Sequence, residues 1–189
     1  MADLNDFMKF TKEALEQFAN QVVLDSKKRL IRKSKYKKNR PTQGALYKAI
    51  DSEVKVMPNS FIVKFPFMED FDYAKYLDQG VKGKSSSFGN TKNSPFRFGT
   101  GTGKKGGLTN AIEKWVKRKR FQFREDNTGR FMSYKTMTFL ISRSVYQKGI
   151  PAKFFFTKSF NMAYQKLPNK VIESFALDVK ESFKKYTIS

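Results

Sequence analysis

The chain contains no cysteine and no histidine among its 189 residues. Without these two residues it can form no disulfide bond, no thiolate nucleophile and no zinc site of the Cys/His type. Histidine is also the side chain that most often acts as a general acid or base near neutral pH. A catalytic site would therefore have to be built from carboxylates, lysines and hydroxyl groups alone. These absences favour a protein that is not an enzyme and uses no cofactor.

Acidic residues are scarce, because 17 Asp and Glu stand against 38 Lys and Arg, and the net charge is +21. Such a charge favours an acidic or polyanionic partner, since like charges repel one another in the compact state. Long hydrophobic runs are also missing, so the sequence predicts no membrane span and no signal peptide, and hence a soluble protein made in a cytoplasm. In contrast, 20 Phe and 8 Tyr provide apolar surface for a core.

Length and periodicity predict one domain over residues 1–189 that contains both helices and short strands. A long amphipathic helix is predicted over 3–35, within a basic N-terminal region 1–40. Residues 54–56 and 61–67 alternate as strands do, and Pro58 and Asn59 predict a tight turn between them. The remaining predictions are a short helical or turn segment closed by Gly80, helices from Asn110 and over 131–148, a short strand over 152–156, and a helical tail over 157–189 with a helix start at Pro168.

Residues 82–107 are rich in Gly, Ser, Thr, Asn and Lys, and they predict a long flexible loop. Its segment RFGTGTGKKGG has the composition of a phosphate-binding loop but not the spacing. Phe98 stands where the first glycine of a Walker motif belongs, and Lys105 replaces the hydroxyl residue that reaches magnesium. A dinucleotide-binding loop would follow a strand, whereas this segment follows a serine-rich stretch. We therefore predict no nucleotide site in this loop.

Two clusters of basic residues are the main candidates for binding. Each is predicted to contact phosphates or an acidic protein surface, and the alternative is a solvated helix end. The second cluster precedes Phe121 and Phe123; such a pair can stack on bases, but its helical spacing favours a place in the core. Trp115 is likewise predicted to pack in the core or at a subunit interface. The clusters are Lys27, Lys28, Arg29, Arg32, Lys33, Lys35, Lys37, Lys38 and Arg40, and then Lys117, Arg118, Lys119 and Arg120.

A small acidic cluster raises a different hypothesis. Glu69, Asp70, Asp72 and Asp78 lie close in sequence but do not follow the glycine-turn pattern of a calcium loop. A metal-dependent nuclease that uses Asp70, Asp72 and Asp78 would show cleavage that depends on a divalent ion and is abolished by Asp72→Asn. We predict no metal site and keep this hypothesis as the third one.

Four segments resemble, in order, motifs of tailed-phage neck and tail-completion proteins. PTQGALYKAI resembles the entry into that family's first strand, and DYAKYLDQG resembles its element after the hairpin. NAIEKWVKRK is similar to the family's helix in which Trp follows Ile by three residues. LISRSVYQKGIPAKFFFTKSF is similar to its closing segment. Together the segments span Pro41 to Phe160. The chain has Asp78 where this family more often has Glu.

This resemblance implies an α+β fold, in which a long N-terminal helix packs on a small antiparallel sheet, with further helices and a long flexible loop. It implies a structural virion protein without catalysis, made in the host bacterial cytoplasm. Such a protein forms a homo-oligomeric ring, twelve-fold or six-fold, in the head–tail connector (the neck) that joins portal to tail around the DNA channel.

The partners implied by the resemblance are the portal protein, other neck or tail proteins and the packaged DNA. In such a ring the loop 82–107 would order on contact with a neighbouring subunit. The alternative hypothesis is a basic nucleic-acid-binding protein that acts as a monomer or dimer and binds DNA with a steep salt dependence. The loop residues predicted to make the contact between subunits are Phe88, Phe96, Phe98, Lys104 and Lys105.

Overall fold

The computed structural model describes residues 8–31, 44–57, 59–101, 106–120 and 122–187. These residues divide into two compact units. Unit 1 contains the chain up to Asp78 and from Lys153 onward, and unit 2 contains Gln79–Ala152. Unit 2 is therefore an insertion in the sequence of unit 1. The sequence prediction of one domain over 1–189 does not include this division.

Helices and two short pairs of strands form the described chain. The helices are α1 Lys9–Ile31, α2 Ala45–Ala49, α3 Phe67–Asp70, α4 Asp72–Gln79, α5 Gly107–Lys119, α6 Tyr134–Lys148, α7 Thr157–Tyr164 and α8 Leu167–Thr187. The strands are β1 Glu53–Met57, β2 Ser60–Lys64, β3 Val81–Lys82 and β4 Gly149–Ile150. The α+β fold predicted from the sequence is confirmed, and most of its regular structure is helical.

The long helix α1 organises unit 1. Its buried side includes Ala14, Phe18 and Val22 at helical spacing, and it packs against α7, α8, β1 and β2. The predicted long N-terminal helix on a small antiparallel sheet is confirmed. The ends of the predicted helix, residues 3–7 and 32–35, lie outside the described residues.

Strands β1 and β2 form the predicted antiparallel hairpin, but β2 ends at Lys64, and Phe67 begins helix α3 instead of continuing the strand. Val54 lies opposite Val63 and Val56 opposite Phe61, and these four side chains are half-buried while their neighbours are exposed. This alternation places one apolar face of the hairpin toward α1, because successive side chains in a strand point to opposite faces.

Aromatic side chains fill the core of unit 1. Phe67 and Phe155 are almost fully buried, and Phe156 meets Phe67 edge-to-face with ring centroids 5.4 Å apart. Phe156 also makes an edge-to-face contact with Phe65 at 5.2 Å. Each such pair adds about 1 kcal/mol beyond the burial of its surface. The core therefore joins the segment that follows β2 to the segment that returns from unit 2.

The predicted strand over 152–156 is wrong. A strand would point Phe155 and Phe156 to opposite faces, whereas both rings contact Phe67. The backbone achieves this through a left-handed conformation at Phe154, with φ of 47°. It is held by hydrogen bonds from the amide of Lys153 to Leu77 and from that of Phe154 to Asp78.

In unit 2, the loop predicted to be flexible is folded onto the strand pair. Strand β3 pairs with β4, and the amide of Lys82 donates to Phe96 while its carbonyl accepts from Phe98, both at 2.9 Å. The hydroxyl of Ser94 donates to the Gly80 carbonyl at 2.7 Å. Over 82–101 the loop is thus fixed within its own unit. Lys104 and Lys105 lie outside the described residues.

The helices α5 and α6 pack against each other, and both begin elsewhere than the sequence predicts. Helix α5 begins at Gly107, so Asn110 lies inside it and donates its amide to the Gly106 carbonyl rather than forming a capping box. Helix α6 begins at Tyr134, because the Ser133 hydroxyl accepts a hydrogen bond from the Thr136 amide at 3.1 Å. A serine cap of this kind satisfies an amide that the helix itself cannot pair.

Candidate functional site

The first basic cluster begins on the last turns of α1. The Lys27 ammonium lies 5.8 Å from the ring centroid of Tyr47, and the Arg29 guanidinium donates to the Met162 sulfur at 3.0 Å. Lys28 forms a long ion pair of 3.8 Å with Asp25. These residues therefore have neighbours within unit 1. The others, Arg32, Lys33, Lys35, Lys37, Lys38 and Arg40, lie outside the described residues.

The second basic cluster lies at the carboxyl end of α5, and all of its members are exposed. Lys117, Arg118 and Lys119 form the last turn, where cations interact favourably with the helix dipole. Arg120 ends the helix in a left-handed conformation, with φ of 50° and its amide bonded to the Val116 carbonyl. The helix end therefore presents four neighbouring cations to solvent.

Glu113 is the acidic neighbour of this cluster. Its carboxylate accepts a hydrogen bond from the Lys117 ammonium at 2.7 Å. This hydrogen bond, together with the positive charge of Lys117, holds the pKa of Glu113 below its ordinary value. Lys117 is thus partly neutralised, whereas no ion pair is found for Arg118, Lys119 or Arg120 among the described residues.

Removal of Lys117 is expected to raise the pKa of Glu113. In Lys117→Met the hydrogen bond and the nearby charge are both lost, so the carboxylate should titrate closer to its ordinary range. The measurement is an NMR titration of the Glu113 side-chain carbonyl at low salt. Lys114→Met is the matched control, because neighbours at i and i+1 do not face each other on a helix. An equal effect of both variants would contradict the assignment.

The connection between α5 and α6 adds further basic and aromatic residues. Arg124 pairs with Phe131 in an isolated antiparallel bridge, and its guanidinium lies 4.7 Å from the Phe131 ring centroid. The amide of Glu125 donates to Arg130 at 2.9 Å, and that of Met132 donates to Phe123 at 2.8 Å. The segment that the sequence presents as a polar turn is thus a short, hydrogen-bonded ribbon. Phe131 is 60% exposed on it.

The prediction that Phe123 belongs to the core is wrong, since this side chain is 48% exposed. Trp115 is also outside the core, at 39% exposure, and a place at a subunit interface stays a prediction. The reason is that the smaller Val116 and Met137, both fully buried, fill the contact between α5 and α6. Phe121, the other member of the predicted pair, lies outside the described residues.

Unit 2 is strongly basic as a whole. Residues 79–152 contain 16 Lys and Arg but three Asp and Glu, which gives a net charge of +13. The rest of the chain is longer and carries the remaining +8 of the total of +21. The insertion therefore holds most of the net positive charge of the protein, because it contains few acidic residues.

The acidic cluster does not form a shared site. Asp78 is fully buried, and its carboxylate accepts hydrogen bonds from the amides of Phe156 (2.8 Å) and Thr157 (3.3 Å) and from the Thr157 hydroxyl. It caps the start of α7. Asp70 and Asp72 are exposed instead. No group of three or more carboxylates suited to a metal ion occurs in the described part of the chain, so the geometry gives the nuclease hypothesis no support.

Asp178 has the same role at the start of α1 and was missed in the sequence. It is 2% exposed and accepts hydrogen bonds from the amides of Phe10 (2.9 Å) and Thr11 (2.8 Å) and from the Thr11 hydroxyl (2.7 Å). The sequence contains one signal of this, since Asp178 follows Val171 by seven residues and therefore shares its face of α8. Both buried aspartates are thus structural residues.

The loop predicted to contact a neighbouring subunit is mostly turned to its own unit. The ring of Phe98 lies 6.0 Å from that of Tyr146, and Phe96 and Phe98 are half-buried. Phe88 is 41% exposed and remains accessible to a partner. A contact between subunits through this loop stays a prediction.

Exposed apolar side chains occur along one side of α8. Ile172, Phe175 and Phe183 are 66%, 46% and 69% exposed, and their spacing places them near one another on the helix surface. The side of α8 that holds Asp178 packs on α1, whereas these three side chains are exposed. The apolar surface of α8 therefore extends beyond the part that α1 covers.

No known protein family, curated protein or solved structure is detectably similar to this chain. Each helix in the described ranges is too short or too polar to cross a lipid bilayer. The class that the fold and the surfaces define is accordingly a basic, mostly helical α+β protein with an inserted unit.

Proposed function

We propose that this chain is a structural virion protein of a tailed phage that forms a ring in the head–tail connector. The order of the four motifs from Pro41 to Phe160 supports this proposal. The long helix α1 on the β1–β2 hairpin agrees with the fold that the motifs imply. The chain acts through assembly between portal and tail and has no reaction to perform.

The observation that carries the proposal is the exposed apolar side of α8. Ile172, Phe175 and Phe183 are large hydrophobic side chains on one exposed surface of a long helix. A contiguous apolar surface of this kind marks a contact with another protein. If the partner is another copy and the contact joins two different surfaces, repetition closes a ring.

The charge of the protein fits the same place in the virion. A ring around the channel has packaged DNA on its axis and the portal on one side, and the net charge of +21 suits either polyanionic surface. Because +13 of this charge lies in unit 2, we expect unit 2 to contact the charged partner.

Ile172→Asp is expected to prevent assembly of the ring. Native mass spectrometry of the purified full chain should show one closed oligomer of six or twelve subunits, and the variant should remain a monomer because a carboxylate in an apolar contact loses its hydration. Asn169→Asp, an equal change of charge on an exposed residue of the same helix, should assemble normally. Circular dichroism should show the same helix content in all three proteins.

If the wild-type protein is a monomer or dimer at every concentration tested, the proposal of a ring is contradicted. That result would favour the alternative, a small nucleic-acid-binding protein. Assembly that is unchanged by Ile172→Asp would reject the α8 surface as the contact. Peptides of the chain in purified particles of the virus that encodes it are expected as well, and their absence would contradict a virion location.

A further inference from the structure

One exposed surface of unit 2 combines positive charge with an aromatic ring. It is formed where α5 ends and α6 begins, and we call it the basic–aromatic surface. We propose that it binds single-stranded nucleic acid. This inference goes beyond the proposed ring, because it concerns a binding activity of unit 2 that does not depend on assembly. The surface is formed by Arg118, Lys119, Arg120, Arg124, Arg130 and Phe131.

The positive charge of this surface is not neutralised within the described residues. Arg118, Lys119 and Arg120 follow one another at the end of α5 and are exposed, and Arg124 and Arg130 lie on the ribbon that follows. Three acids lie near it in sequence: Glu113 bonds to Lys117, Glu125 accepts a hydrogen bond from the Thr128 hydroxyl at 2.8 Å, and Asp126 is exposed on the ribbon. The five cations of the surface outnumber these acids, and no ion pair joins the two sets among the described residues. Cations this close repel one another, and binding of a polyanion relieves the repulsion. The counterions that the nucleic acid releases on binding add to the affinity.

Phe131 indicates that the polyanion presents bases. Its ring is 60% exposed although the Arg124 guanidinium lies 4.7 Å from its centroid. A planar cation next to an aromatic ring offers two flat surfaces on which unstacked bases pack, as in proteins that bind single strands. A second exposed ring, that of Phe123, is carried by the same ribbon.

Single strands fit this surface better than duplexes or acidic proteins do. In a duplex the faces of the bases are already stacked on one another, so that an exposed phenylalanine would gain no partner. An acidic protein would form ion pairs with the cations but would leave the Phe131 ring exposed to water. The ribbon also fixes Arg124 and Phe131 opposite each other through its backbone pairing, so the two flat groups are arranged before the ligand arrives.

The test is fluorescence anisotropy of the full chain with a labelled oligothymidine strand of about 20 nucleotides, measured over a range of salt concentrations. Phe131→Ala is expected to weaken binding about ten-fold without changing the salt dependence, since it removes stacking and no charge. Phe131→Trp should restore binding. The control is Phe88→Ala, another exposed phenylalanine of unit 2, which should bind like the wild type.

A second variant tests the phosphate contacts. The double variant Arg118→Gln, Lys119→Gln should bind at least ten-fold more weakly and should lower the salt slope by about 1.4, since each phosphate contact on a single strand contributes about 0.7. The control removes two exposed lysines of unit 1, Lys75→Gln and Lys158→Gln, and should change both quantities little.

Three results would overturn the proposal. The first is absence of binding at low salt. The second is equal affinity for a duplex of the same length with no effect of Phe131→Ala, which would mean phosphate contacts alone. The third is displacement of the strand by polyglutamate at an equal concentration of charges, which would indicate an acidic protein partner. Because native mass spectrometry reports assembly separately, failure of this proposal and failure of the ring are distinguishable.

Discussion

Asp178→Ala is expected to lower the free energy of unfolding by about 3 kcal/mol. The carboxylate is buried between α8 and the start of α1 and accepts three hydrogen bonds, from the amides of Phe10 and Thr11 and from the Thr11 hydroxyl. These amides belong to the first turn of α1, which has no intrahelical acceptors for them. Alanine would leave them buried without a partner, and it would also remove a negative charge from the positive end of the helix dipole.

Urea unfolding followed by circular dichroism measures this effect. Glu173→Ala and Glu181→Ala are the matched controls, because both remove an exposed carboxylate from α8 and should change stability by less than about 0.5 kcal/mol. Asp178→Asn keeps one acceptor oxygen and should fall between the wild type and Asp178→Ala. Loss of stability in Asp178→Ala no larger than in the two controls would show that the cap contributes little.

Gly149→Ala is expected to disrupt unit 2, with a loss of about 3 kcal/mol or more. A Cβ atom at this position would lie 2.1 Å from the Val81 carbonyl oxygen and 2.6 Å from the Gly83 nitrogen, and both are backbone atoms. The φ of Gly149 is +84°, a conformation that alanine adopts only with strain. The alanine side chain therefore cannot fit unless strands β3 and β4 move apart and lose their backbone hydrogen bonds.

Amide hydrogen exchange distinguishes a local effect from global unfolding. Exchange in Gly149→Ala should accelerate first at Val81, Lys82 and Ile150, and the amides of α1 should be affected less. Gly89→Ala is the control, since no atom lies within 4 Å of the added Cβ and φ has no positive value there. If the amides of unit 2 exchange at similar rates in Gly149→Ala and Gly89→Ala, the backbone around Gly149 accommodates a Cβ atom without loss of the β3–β4 pairing.

The sequence predicts well those elements whose signal is local. The apolar spacing of Phe18 and Val22 predicts α1, and the alternation of Val54 and Val56 with charged residues predicts the hairpin. Gly80, with φ of +72°, ends α4 as its position in the sequence indicates. The α+β fold class could therefore be predicted from these local patterns.

Elements that depend on distant contacts could not be predicted. Asp78 and Asp178 cap helices through hydrogen bonds to residues 79 and 168 positions away along the chain, and no local sequence pattern indicates such a bond. The three consecutive phenylalanines 154–156 indicate a strand, but the core of unit 1 requires Phe155 and Phe156 on the same side.

Only part of the candidate site could be predicted, because some of its contacts join residues that are apart in the sequence. The cluster Lys117–Arg120 is visible as a run of charges, and its position at the end of α5 follows from the helix. Arg124 and Phe131 are separated by a turn, and their contact arises because the ribbon pairs them across it. Exposure of Phe123 and Trp115 was not predictable either, because it depends on how tightly α5 and α6 approach at Val116 and Met137.

The two points at which the chain leaves and re-enters unit 1 are neighbours. The amides of Lys153 and Phe154 bond to the carbonyls of Leu77 and Asp78, so the ends of the inserted segment meet in space. Segments with adjacent ends are those that tolerate replacement, since the framework needs only the same short gap to be bridged. Shortening or replacement of residues 79–152 is therefore expected to leave the framework around α1 folded, provided that the same short gap between Asp78 and Lys153 is bridged.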